Sequence, residues 1–175
     1  GGDDNTCVLW DMLPKNKIPI PLDNKLDQFI IGNAGGLYYR NGPNPVFKPK
    51  NQYHPFDGDG MVHAVYIRDG KASYRNSYIH TAALQHELSQ HEAVWPGVMG
   101  PFDFSLPDFP IKDTGNTDVV MFNGSLIPTW YNAGIPYQMN PLTLENQGVF
   151  DVEGRTRRNM SAHSHIDWKS GELIF

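Results

Sequence analysis

Hydrophobic and polar positions along the chain alternate in short bursts separated by turn-forming residues, a pattern of strands rather than of helices. MVHAVYI (Met61 to Ile67) and KASYRNSYI (Lys71 to Ile79) flank Arg68-Asp69-Gly70, and Asp-Gly between two such runs predicts a β-hairpin. Three more strand pairs are expected: VVMFNGSLIPTW folding at Asn123-Gly124, YQMNPLTLENQGVFDV folding near Asn140-Pro141, and SAHSHIDWKSGELIF folding around Ser170-Gly171. From Phe29, FIIGNAGGLYYRNGPNP reads as a strand running into a tightly turned loop, because apolar residues stand beside a Gly/Asn/Pro cluster. Residues 1–28, punctuated by Pro14, Pro19 and Pro21, read as an extended lead-in lying on a surface.

Helical spacing is found once, in HTAALQHELSQHEAVW (80–95), where Ala83, Leu84, Leu88 and Val94 fall on one side. The following PGVMGPFDFSLPDFPI is rich in Pro and aromatics without periodicity, and predicts an irregular loop with exposed rings; residues 80–111 together would form a cap. Turn signals recur about every 10 to 20 residues, the spacing of a sandwich, barrel or propeller. The chain stops at Ile174-Phe175, inside the second strand of an expected hairpin, so residues 1–175 are expected to be one domain portion of a longer polypeptide.

Composition sharpens this all-β reading. The 17 Gly and 14 Pro, with 4 Trp, 8 Tyr and 9 Phe, are incompatible with a helical bundle. A net charge of −5 gives no basis for nucleic-acid binding. Cys7 stands alone, which excludes an internal disulfide and a Cys-based zinc or iron–sulfur site, and suits a reducing compartment; a cytoplasmic location is expected. The sequons Asn123-Gly-Ser125 and Asn159-Met-Ser161 read as chance matches.

Candidate chemistry centres on histidine. His163 and His165 stand two apart in SAHSHID, so on a strand both rings face one side. Such a pair either binds a metal through one or both imidazoles or forms a hydrogen-bonded pair on a half-buried strand, and the residues alone leave both open. His86 and His91 are five apart on the expected helix and miss the i, i+4 ligand spacing. In Tyr53-His-Pro-Phe-Asp-Gly-Asp-Gly-Met61 the acidic pair lacks the further oxygen ligands of a calcium loop; Asp57 and Asp59 are expected to bond nearby amides, with Gly58 and Gly60 at positive φ. There is no phosphate-binding loop, dinucleotide fingerprint or Gly-x-Ser-x-Gly elbow.

Three segments, Gly36-Leu-Tyr-Tyr-Arg-Asn-Gly-Pro-Asn-Pro45, Tyr53-His-Pro-Phe-Asp-Gly-Asp-Gly-Met-Val-His63 and Ser161-Ala-His-Ser-His-Ile-Asp167, resemble the carotenoid cleavage oxygenases, the family that includes lignostilbene dioxygenases and the retinoid isomerase. Asn116-Thr117 and Pro136-Tyr137 followed by Asn140-Pro-Leu-Thr-Leu-Glu145 add to the likeness, which spans about residues 26 to 175 in the family's order. The resemblance implies the N-terminal portion of a seven-bladed β-propeller capped by loops and a short helix, with Fe(II) on its axis held by four histidines. Of these, only His163 would lie in this chain, its ring aimed at the metal; His165 would be a neighbour of the site, and His54 and His63 would sit in a structural motif behind it. The remainder of the same propeller chain would supply the other ligands.

The implied reaction is cleavage of a carbon–carbon double bond of a carotenoid or apocarotenoid by O2, giving carbonyl products; stilbene cleavage, retinoid isomerisation or a propeller that only binds an apolar ligand are the other readings. Asn132 falls where the family usually carries a Glu that orients a ligand histidine, and Tyr131 where stilbene-cleaving members carry a Lys, which argues against a stilbene. Trp95, Phe102, Phe104 and Tyr131 are expected to face the polyene substrate or a membrane, making peripheral membrane contact at the tunnel mouth.

Overall fold

The computed structural model describes residues 6–8, 36–68, 71–106, 110–132, 134–151 and 159–175. These form three antiparallel sheets and one short helix, the all-β architecture expected. The first sheet has the order β1 (Thr6–Val8), β2 (Gly36–Pro43), β3 (Gly60–Arg68), β4 (Lys71–Tyr78). Helix α1 (Ala82–Gln90) follows. The second sheet is β5 (Asp118–Phe122), β6 (Ser125–Thr129), β7 (Tyr137–Met139), β8 (Asn146–Val149), and the third is the pair β9 (His165–Ile166) and β10 (Leu173–Ile174).

The hairpins lie where the turn residues put them. β3 and β4 pair from Met61↔Tyr78 to Arg68↔Lys71; the turn residues Asp69 and Gly70 lie outside the described residues. At the β5–β6 corner Asn123 (φ 46°) and Gly124 (φ 78°) are both left-handed, the two-residue turn whose twist matches the flanking strands. Asn140 Oδ1 accepts the amides of Leu142 and Thr143 and so closes the β7–β8 corner.

The strand expected after Phe29 runs through Gly36–Pro43, held extended where Tyr39 and Asn41 are buried and hydrogen-bonded, and passes into a loop from Asn44; residues 29–35 lie outside the described residues. Of the lead-in over 1–28, the only described residues are Thr6–Val8, which pair with β2 as an edge strand. The positive φ expected at Gly58 and Gly60 is corrected: Gly58 has φ −69° and Gly60 is not left-handed either, and both are needed for close approach, since a Cβ at Gly58 would lie 2.6 Å from Pro43 Cβ and one at Gly60 2.5 Å from the Thr114 carbonyl oxygen.

The helix forms where expected, with Thr81 Oγ1 accepting the Leu84 amide as N-cap, but its inner face differs. Ala83, Leu84 and Glu87 are buried, whereas Leu88 is 39% exposed. Glu87 turns inward because Lys112 Nζ lies 2.6 Å from its Oε2 and the Val94 amide donates to its Oε1 at 2.8 Å. Lys112 also meets the buried Asp59 at 2.5 Å, so one cation joins the helix to the Asp-Gly-Asp-Gly loop. Charge pairing overrides apolar periodicity here.

The sheets pack face to face. Tyr39, Val62 and Ala64 of the first, with Ile79 just after β4, meet Val119, Leu126, Tyr137 and Met139 of the second, with Leu144 of the β7–β8 corner. On the second sheet's other side, Ile127, Phe150 and Met160 pack with Val120, Phe122 and Leu173. Because strand neighbours point to opposite faces, Leu126 and Ile127 enter different cores, which explains why β6 is apolar on both sides. The phenols of Tyr39 and Tyr66 both donate to the Pro141 carbonyl, at 2.7 and 2.9 Å, tying the first sheet to the β7–β8 corner.

Candidate metal-ligand site

The third sheet begins two residues after His163, which sits in a bend before β9 rather than on a shared strand with His165. Burial still alternates along this segment: Met160 and Ala162 point into the protein, Ser161 and His163 away from it. Two backbone contacts fix its course, Met160 N–H donating to Gly134 O at 3.0 Å and Thr129 Oγ1 donating to Ala162 O at 2.6 Å.

His163 Nδ1 lies 2.9 Å from Asp118 Oδ2. A carboxylate only accepts, so Nδ1 carries the proton and a neutral ring then presents the lone pair of Nε2. The His163 side chain is 69% exposed and that of Asp118 28%. Asp118 opens β5 and faces Thr129 across the ladder. Its backbone is in turn held by the buried Asn41, whose Nδ2 donates to Asp118 O at 2.9 Å and to Gly115 O at 2.6 Å. Among the described residues no three His, Cys, Asp or Glu side chains converge as a metal cage. The donor chemistry at His163 fits a single imidazole ligand, since a carboxylate on the far nitrogen is the usual support of a metal-bound histidine.

Asp118 was not singled out from the sequence. The available signal was an acidic residue opening the otherwise apolar run DVVMF, directly after Asn116-Thr117. Those two residues also work locally: Asn116 Nδ2 donates to Gly58 O and Phe56 O, and Thr117 Oγ1 accepts the Tyr131 amide.

The other expected site residues are not all brought together. Asn132 is exposed and has no side-chain hydrogen bond to the described residues, and it does not meet His163, whose neighbouring carboxylate is that of Asp118 on β5. His165 is exposed on β9. Tyr131 is half exposed, its ring 4.9 Å from that of Phe56 and 5.3 Å from Trp130, and burial, then the nearby Asp57, pushes its phenol pKa up. Phe102 and Phe104 are exposed, at 49% and 81%, and meet edge to face. Trp95, expected among these outward rings, is only 7% exposed: it packs against His86 beneath the helix, and that burial removes it from any outward surface. His54 and His63 hold local structure. His54 caps the 3-10 turn Pro55–Asp57, and His63 Nδ1 lies 2.6 Å from Tyr74 Oη, with burial and then Arg40 lowering its pKa.

The family model RPE65, retinal pigment epithelial membrane protein, matches residues 33–175. The chain belongs to the carotenoid cleavage oxygenase family. It is 36% identical over 141 residues to resveratrol cleavage oxygenase 1 of Aspergillus fumigatus, covering 79% of this chain and 28% of that protein. To carotenoid 9,10(9',10')-cleavage dioxygenase 1 of Arabidopsis thaliana it is 30% identical over 179 residues, covering 91% and 33%. The crystal structure of Pseudomonas brassicacearum lignostilbene dioxygenase superposes with a TM-score of 0.71 at 26% identity, covering 81% of this chain and 30% of that one. The chain thus spans about a third of the length of its carotenoid cleavage oxygenase relatives. The exposure of His163 is that of this third alone.

Proposed function

We propose that this chain is the first part of a seven-bladed propeller whose axis carries Fe(II), with His163 as one of four histidine ligands through Nε2. The two four-stranded antiparallel sheets and the following strand pair, stacked face to face, are what successive blades require. The single observation that carries the metal reading is His163 itself, exposed, with Nδ1 occupied by Asp118 and no hydrogen bond to Nε2 among the described residues. Bound there, ferrous iron would supply the O2 chemistry, with imidazoles as ligands it favours.

The reaction proposed is oxidative cleavage of a conjugated carbon–carbon double bond to two carbonyl products, on a carotenoid or apocarotenoid. The exposed rings of Phe56 and Tyr131, backed by the buried Trp130, form an apolar shelf suited to a polyene, and Phe102 and Phe104 on the cap suit contact with a membrane that delivers it. A stilbene or phenylpropenoid substrate is the second reading, supported by the likeness to a resveratrol cleavage oxygenase and to isoeugenol monooxygenase of Pseudomonas nitroreducens (30% identical over 157 residues).

Full-length protein loaded anaerobically with Fe(II) tests this. Stoichiometric iron lost in His163→Ala, with 18O2-derived aldehyde from an apocarotenoid, supports the first reading. The same label in hydroxybenzaldehydes from a stilbene moves the assignment to the second. Absence of iron from the wild-type protein overturns both.

A further inference from the structure

Asp118 and Thr129 are cross-strand partners on one rung of the β5–β6 ladder, and they grip His163 from two sides. Asp118 Oδ2 takes the ring nitrogen Nδ1 at 2.9 Å, while Thr129 Oγ1 donates at 2.6 Å to the carbonyl of Ala162, the residue immediately before it. We propose that Asp118 and Thr129 are positioning residues for His163: the carboxylate sets its tautomer, the hydroxyl sets the backbone from which the ring projects, and together they aim Nε2 at the metal. This deepens the metal reading above and rests on it.

The rung is rigid for reasons visible in the fold. Thr129 is buried and forms the end of a strand that is packed on both faces. Thr117 N–H donates to Thr129 O at 3.0 Å, continuing the ladder one residue beyond Asp118. Asp118 O is clamped by Asn41, a buried residue of β2, so the first sheet also braces the pair. Asp118 Oδ1 meets its neighbour's amide, Val119 N–H, at 2.7 Å, which leaves Oδ2 for the imidazole. His163 itself stands on a bend and belongs to no ladder among the described residues, so without this rung its ring direction would be set by rotamer freedom.

An asparagine at 118 would differ from aspartate in one decisive respect. Its amide can donate to Nδ1, which stabilises the opposite tautomer and places the proton on Nε2, the atom that must bind the metal.

The test uses the full-length protein labelled with [15N]histidine. Two-bond 1H–15N spectra of the metal-free wild type should show His163 with the proton on Nδ1, and Asp118→Asn should move it toward Nε2. Fe(II) affinity by anaerobic equilibrium dialysis should fall about 10- to 100-fold in Asp118→Asn, and by a smaller factor in Thr129→Val but not in Thr129→Ser, which keeps the hydroxyl. Asp118→Asn is isosteric and retains the β5 ladder, and an unchanged melting temperature separates positioning from folding. If His163→Ala lowers iron affinity while Asp118→Asn changes neither tautomer nor affinity, the positioning role is overturned and the ligand role stands. If His163→Ala leaves iron affinity unchanged, the ligand role falls and the positioning role with it.

Discussion

The carboxylate of Asp113 fills the space where Gly134 would carry a side chain: a Cβ there would lie 2.6 Å from Asp113 Oδ2. Asp113 is pinned in that place by the amides of Gly115 at 3.1 Å and Ile135 at 3.0 Å. Burial outweighs these two hydrogen bonds and pushes its pKa up to about 6. The folded state therefore holds a proton that the unfolded chain releases at the ordinary carboxylate value. The contribution is present in full below about pH 4 and is lost as pH rises through 6, about 2–3 kcal/mol in all. In Asp113→Asn this part of the pH dependence should flatten between pH 4 and 6, as measured by chemical denaturation at several pH values.

Lys112 is expected to be the most costly charge to remove. It bridges Asp59 and Glu87, both buried, and Lys112→Met would leave two carboxylates unpaired inside the protein. A loss of about 3–5 kcal/mol is expected, read as a lowered denaturation midpoint. A change below about 1 kcal/mol, the range of an exposed pair, would mean that the triad is solvated.

Two glycines should fail on alanine substitution for different reasons. At Gly60 the new Cβ would meet the Thr114 carbonyl, which is already bonded to the Gly60 amide and cannot withdraw, so a loss of about 1–3 kcal/mol or more is expected. At Gly124 there is open space but φ is +78°, and about 1–2 kcal/mol of left-handed strain is expected. Thermal melts of the two variants measure both. A loss in Gly124→Ala greater than in Gly60→Ala would contradict the close-approach account.

The exposed rings of the cap give a separable outcome. Phe102→Glu with Phe104→Glu should lower partitioning onto liposomes without changing the melting temperature, because both side chains are largely in solvent. Trp95→Glu should instead destabilise the protein by about 3 kcal/mol or more, since it places a charge where a buried ring packs on His86. Unchanged partitioning of the double variant would remove the membrane contact proposed for this loop.

Much of this protein is written in local chemistry. Asn123-Gly124 dictates a hairpin because two left-handed residues are needed there, and Asp-Gly at 69–70 announces the pairing of Arg68 with Lys71 in the sequence itself. Thr81 starts a helix, and the family motifs carry His163 with them. What local pattern could not supply was anything decided by a distant partner. Leu88 faces solvent and Glu87 the interior because Lys112, 25 residues on, demands a carboxylate. Gly58 and Gly60 serve close approach to Pro43 and Thr114, contacts with no trace in their own φ preference.

The same division runs through the site. The sequence alone determined the strand-and-turn architecture, the family, and the histidine worth testing, because these depend on near neighbours and on motifs. Only the tertiary structure placed Asp118 on the ring of His163, 45 positions away, and Thr129 on the carbonyl of Ala162 just before it. That choice belongs to ladder register, a relation between strands that no single strand encodes.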